Sequence, residues 1–288
     1  MTEPVVLPAF EEFGDQGVSA LEKPEEAVAA TQAVLKDDRD AGRPVIDSPG
    51  DNLVTLERGI CREGTWYRDA EVRELNGSDE EALAAAGVGN SSYKVFETLL
   101  LRGVVRVGGE AMSRTVAGEL LIGDRELLIL AIRRATFGED LEFERLPCPH
   151  CGELTDLTVP LGAIPTVRLD DPERVEFEVP MRHGNKAVVR LPNGDDQAAV
   201  FNLQSSGNKA RQDSEILNRC VLRLVYTDGR EVARPPAQTL GMRQRRSLLQ
   251  FLTDTQPGPR YADFTWTHET CGKEVELPIT LAVLFRGM

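Results

Sequence analysis

Leu141-Glu142-Phe143-Glu144 runs through Cys148-Pro149-His150-Cys151-Gly152 into a second apolar-polar stretch at 154–159. Far downstream, Phe264-Thr265-Trp266-Thr267 runs through His268-Glu269-Thr270-Cys271-Gly272 into Val275-Glu276-Leu277. The flanks alternate as half-buried strands do. Strand, knuckle, glycine, strand therefore occurs twice, and no other internal repeat stands out. Zinc prefers tetrahedral sulfur and nitrogen ligands, and a two-residue gap lets one tight turn aim both side chains at one ion. The glycine after the second ligand permits the left-handed backbone such a turn needs. The expected ligands are Cys148, Cys151, His268 and Cys271, holding one structural Zn2+. Four protein ligands leave no position for a catalytic water. A redox Cys-x-x-Cys would sit at a helix N-terminus, whereas a strand-like segment follows here. His150 could replace one of the four, but it lies inside the turn and would have to point away from the shared ion.

The long gap between the knuckles carries elements of its own. A hairpin is expected over 175–181 and 187–191, turning at His183-Gly184-Asn185. Amphipathic helices follow at 214–226 and 240–253, and Pro257-Gly258-Pro259 closes the segment. Ahead of the first knuckle, strands are expected at 53–56 and 65–72, joined through Gly64. Ser78-Asp79-Glu80-Glu81 matches a capping box, a helix follows at 93–101, and a strand at 104–107 ends on Gly108-Gly109. Asp124 is placed to cap a helix that is apolar over most of its circumference and stops at Gly138.

The expected fold class is therefore α+β. A zinc-ribbon-like β core (147–164 and 262–288) carries a large inserted α+β domain (165–261), preceded by an α+β domain (51–146) and an extended N-terminal arm (1–50). The arm has one short helix, from Pro24 to about Asp38. It holds one compact apolar cluster, Val5, Val6, Leu7, Phe10 and Phe13. That is too little to offset its ordering entropy, so the arm is expected to run across a partner subunit with Phe10 and Phe13 as anchors.

Hydrophobic residues at 41% and charged residues at 28% are a globular mixture, and no run approaches the roughly 18 apolar residues of a membrane helix. The first residues lack a secretory pattern, so a soluble protein, cytoplasmic when synthesised, is expected. The net charge of −14 repels phosphate backbones, which bind through Lys and Arg; a zinc-ribbon nucleic-acid binder is the remote alternative. Five cysteines are too few and too uneven for a disulfide framework. Cys61 stands alone, and Cys220, among Ile216, Leu217, Val221 and Leu224, reads as a core residue.

Catalytic machinery is not legible. Of three histidines, one is assigned to zinc, one lies inside a knuckle and His183 occupies a turn. There is no Walker loop, nucleophile elbow or second metal cluster, and Gly108-Gly109 alone is too weak to cradle phosphate. Arg243-Gln244-Arg245-Arg246 reads as a solvated helix face, with an acidic partner as the other reading. Neither an enzyme nor a small-molecule substrate is expected.

Arg73-Glu74-Leu75-Asn76-Gly77-Ser78-Asp79-Glu80-Glu81, Gly123-Asp124-Arg125-Glu126-Leu127-Leu128, Thr136-Phe137-Gly138, Cys148-Pro149-His150-Cys151-Gly152 and Cys271-Gly272, in that order, resemble the baseplate-hub and tail-assembly proteins of contractile-tailed phages and phage-derived contractile injection systems. The resemblance covers about 53 to 285 and leaves the arm unexplained. The family pattern has cysteine in both positions of the second knuckle, where this chain has His268. It implies a non-enzymatic structural part of a baseplate or tail, contacting other subunits of the particle. An assembly chaperone absent from the mature particle is the alternative.

Overall fold

In the computed structural model the described residues are 52–88, 92–203 and 207–285. The expected arm, its helix, and Phe10 and Phe13 lie outside them. Strands β1 (Leu53–Arg62) and β2 (Thr65–Val72) form an antiparallel hairpin turning at Glu63-Gly64. Its register shifts between Thr55 and Ile60, so β1 bulges over residues 56–59. Helices α1 (Gly77–Gly87) and α2 (Ser92–Gly103) follow, then strands β3 (Val104–Val107) and β4 (Glu110–Ala111). The four strands make one antiparallel sheet in the order β1-β2-β3-β4.

The capping box at α1 is Asn76 and Asp79, two residues ahead of the expected Ser78 and Glu81. Asn76 Oδ1 accepts from the Ser78 amide, and the Asn76 amide donates to Asp79. The earlier pair wins because Asp79 is fully buried against Arg73, at 2.8 Å. Burial works against the Asp79 carboxylate, but the Arg73 guanidinium and the Asn76 amide outweigh it and hold its pKa low.

After α3 (Arg114–Glu119) comes α4 (Ile122–Phe137), which Gly138 ends as expected. Its start differs from expectation: Leu121 is the cap residue, and Asp124 lies inside the first turn with its side chain turned away to β1. The amides of Ile122 and Gly123 face the Gln256 side chain instead; with its amide turned so that the oxygen points at them, as these donors require, the oxygen lies 2.8 and 3.0 Å away and accepts from both. Gly123 has to be glycine, because a Cβ there would sit 1.5 Å from the Pro257 carbonyl oxygen.

The chain then enters the hairpin of β5 (Asp140–Pro147) and β6 (Leu154–Pro160), followed by β7 (Thr166–Val167). Strands β8 (Phe177–Pro180) and β9 (Lys186–Val189) form the expected hairpin around His183, which takes φ 59°. Helices α5 (Gly194–Asn202) and α6 (Lys209–Cys220) lead to β10 (Val221–Val225) and β11 (Glu231–Ala233). The expected helix at 214–226 is thus half wrong. Val-Leu-Arg-Leu-Val has β-branched ends and pairs with β9, in a second antiparallel sheet of order β11-β10-β9-β8; tertiary pairing decides such a stretch.

Helix α7 (Met242–Thr255) and strand β12 (Gly258–Pro259) follow, then the hairpin of β13 (Thr265–Thr267) and β14 (Glu274–Glu276), and helix α8 (Leu281–Leu284). Strand β12 pairs with β7, and the Arg260 amide donates to the Pro165 carbonyl at 2.7 Å. The chain therefore leaves and returns at adjacent points, which brings two knuckles far apart in sequence within reach of each other.

Two apolar cores result. One gathers Leu56, Val72, Leu100, Leu128 and Ile132 with Leu141, Phe143 and Val159 of the β5-β6 hairpin and Leu277, Ile279 and Phe285 near the C-terminus. The other gathers Phe177, Val189, Leu217, Cys220, Leu248 and Leu252, joined by Leu121. Cys220 is the core residue expected, and burial pushes its thiol up to about 12. Arg245 departs from the solvated-face reading. It turns inward and donates to the carbonyls of Ala237 and Ala210 and to the Ser214 hydroxyl, tying α7 to α6.

Candidate metal centre

Each knuckle is the turn of a two-stranded hairpin, and both turns close with the same hydrogen bonds. In the first, the Gly152 amide donates to the Cys148 carbonyl and the Cys148 amide to the Glu153 carbonyl, both at 2.9 Å. In the second, the Gly272 amide donates to the His268 carbonyl at 2.8 Å and the His268 amide to the Lys273 carbonyl at 2.9 Å. Gly152 and Gly272 both take left-handed backbone, φ 76° and 66°. That conformation is strained for a side-chain-bearing residue and free for glycine. The hairpins remain separate two-stranded sheets, facing each other through their turns.

The ligand atoms of Cys148, Cys151, His268 and Cys271 all lie within 4.8 Å of one another. Cys148 Sγ is 3.8 Å from Cys271 Sγ, Cys151 Sγ is 3.5 Å from His268 Nδ1, and His268 Nδ1 is 3.2 Å from Cys271 Sγ. Tetrahedral zinc with bonds of ~2.0–2.3 Å needs ligand atoms roughly 3.5–3.8 Å apart; the donor types suit such an ion, and these three separations lie close to that spacing in a cluster that spans up to 4.8 Å. Cys148 and His268 are buried, while Cys151 is exposed. Burial works against the Cys148 thiolate, but the amides of His150 and Cys151 outweigh it and leave its pKa below the ordinary thiol value.

His150 lies outside this cluster. Its Nε2 lies 3.1 Å from the Glu274 carbonyl oxygen. A carbonyl only accepts, so Nε2 carries the hydrogen and ties the first knuckle to β14. The surroundings of His268 were not legible beforehand. Trp266 packs edge-on against its ring at 5.2 Å, and Thr155 Oγ1 lies 2.8 Å from its Nε2. The strand alternation placed Trp266 two residues before His268 on the same face; nothing in the sequence singled out Thr155.

No helix among the described residues is long and apolar enough to cross a membrane. In comparisons with known proteins, residues 104–234 match the family model of the T4 bacteriophage base plate protein. No curated protein and no solved structure matched. The matched stretch runs from β3 to β11. It contains α4, the first knuckle and the second sheet, and stops before His268 and Cys271, so it is narrower than the resemblance read from the motifs. Over residues 104–234 the chain is similar to the T4 bacteriophage base plate protein family, and this match supports a baseplate protein of contractile-tailed phages.

Proposed function

We propose that this protein is a non-enzymatic structural subunit of the baseplate or tail of a contractile phage tail or injection system. One zinc ion, held by Cys148, Cys151, His268 and Cys271, stabilises it. The carrying observation is the family match over 104–234, which spans residues of both apolar cores. The zinc assignment rests on three thiols and one imidazole converging from two like turns. Four protein donors fill a tetrahedral zinc, so the ion braces the two hairpins and leaves no site for a reacting water. The zinc-ribbon-like core at 147–164 and 262–288, the inserted segment 165–261 and the preceding 51–146 are the units of this design. The N-terminal arm contacts a neighbouring subunit through Phe10 and Phe13. The partners are other subunits of the particle; nucleic acid, membrane and small-molecule substrates have no part in the role.

Mass spectrometry of purified particles, combined with metal analysis of the isolated protein, tests this reading. The expected result is the chain present in intact particles and zinc bound to the purified protein. Absence from finished particles, with assembly failing when the chain is removed, replaces the structural role by that of an assembly chaperone.

A further inference from the structure

His268 is only 1% exposed, so its imidazole has almost no access to water. Nδ1 faces the thiols of Cys151 and Cys271 at 3.5 and 3.2 Å. The opposite nitrogen, Nε2, has one partner among the described residues, the hydroxyl of Thr155 at 2.8 Å. A metal bound at Nδ1 leaves the ring hydrogen on Nε2, which must then donate, and the hydroxyl oxygen is placed to accept it. A buried N–H without an acceptor is costly. The group beyond a ligating histidine also sets the ring's orientation and its basicity toward the metal.

Thr155 belongs to β6, opposite Leu146 in the first hairpin, whereas His268 begins the second knuckle. One hairpin thus orients a ligand of the other, four residues after its own ligand Cys151. A cysteine at position 268 would need no such partner, since a thiolate carries no second N–H.

We propose that Thr155 is the positioning residue of the metal centre: its hydroxyl holds His268 with Nδ1 toward the ion. The inference rests on the zinc reading above and goes beyond it by assigning a residue that binds no metal itself. It also makes Thr155 specific to histidine at position 268.

The test uses the full chain as Thr155→Val, Thr155→Ser, His268→Cys and the double variant His268→Cys with Thr155→Val. Zinc affinity is read by competition with a chromogenic chelator, and the ligand field by the visible spectrum of the Co2+-substituted protein. Valine keeps the shape of threonine and removes the acceptor, so Thr155→Val is expected to bind zinc about 10–100-fold more weakly, the usual size of such an effect. The Co2+ bands should shift or broaden. Thr155→Ser should retain wild-type affinity. In the His268→Cys background, Thr155→Val should cause no further loss. Equal loss in both backgrounds means Thr155 supports the hairpin and not the imidazole, which overturns the proposal. Unchanged affinity in Thr155→Val overturns it too, while the zinc reading stands. A wild-type chain that binds no zinc overturns both.

Discussion

The Asp124 carboxylate lies 2.6 Å from the Glu57 amide and 2.9 Å from the Gly59 amide, so a residue in the first turn of α4 holds the bulge of β1. The Arg58 amide reaches the same carboxylate at 3.1 Å. Edge-strand amides at 57–59 are thereby satisfied without another strand. The neighbouring side chains then reach outward. Arg58 donates to the carbonyls of Pro172 and Arg174, and Glu57 accepts from the Leu169 amide. One buried carboxylate thus fixes the strand segment that contacts the loop between β7 and β8.

Replacing Asp124 should therefore cost far more than losing a helix cap. Asp124→Ala leaves three buried amides without an acceptor, each worth roughly 1–3 kcal/mol. The expected loss is about 3 kcal/mol or more by urea unfolding of the zinc-bound protein. Asp124→Asn should lose less, because one oxygen remains. A change within about 1 kcal/mol, the usual size of a lost cap, would return Asp124 to the role of an ordinary helix-start residue.

Glu126, two residues on, gives a pH prediction. Burial pushes its carboxyl up to about 7, against the pull of Arg260 and Arg125. Its folded pKa is raised above the unfolded value, so its contribution to stability is fully present below about 4.3 and lost as pH rises through about 7. At ~1.4 kcal/mol per pKa unit, the loss amounts to no more than about 4 kcal/mol. Between pH 6 and 8.5 the urea midpoint of the wild type should fall. Glu126→Gln, which cannot ionise, should flatten that decline and be the more stable protein at pH 8.5. Parallel curves for the two proteins would show that Glu126 titrates normally.

The metal centre should matter to stability as well as to composition. Cys148→Ser or Cys271→Ser is expected to abolish stoichiometric zinc and lower the thermal transition, and a strong chelator should do the same to the wild type. Zinc is worth ~10–16 kcal/mol to small peptides that fold only around it. The effect here should be smaller, since Leu141, Phe143 and Val159 bury the first hairpin in a larger core whether or not metal is bound. Purified wild-type protein holding less than about half a zinc per chain, prepared without chelator, would count heavily against a structural ion.

Deleting residues 2 to 45 tests the arm. If Phe10 and Phe13 anchor it on a neighbour, the truncated protein should fold and keep its zinc yet fail to enter particles. Incorporation at the wild-type level, with normal assembly, would make the arm dispensable.

Local chemistry was readable in advance. The two knuckles, their glycines, the hairpin around His183, the stop at Gly138 and the core position of Cys220 each follow from residue type and short spacing. The turn backbone, the strand period and the ligand preference of zinc all act within a few residues. What the sequence could not decide was competition between distant partners. Val221–Val225 becomes a strand because β9 is beside it, and the Asp124 side chain turns away from the helix start because three strand amides outbid it. Gln256, more than a hundred residues downstream, supplies the cap oxygen instead. Thr155 was invisible for the same reason: a threonine hydroxyl matters only if folding sets it 2.8 Å from a buried imidazole. Even the four candidate ligands were legible only as two half-sites. Their meeting depends on β7 pairing with β12 and on both hairpins packing into one apolar core, a free energy summed over the whole chain and written in no single motif.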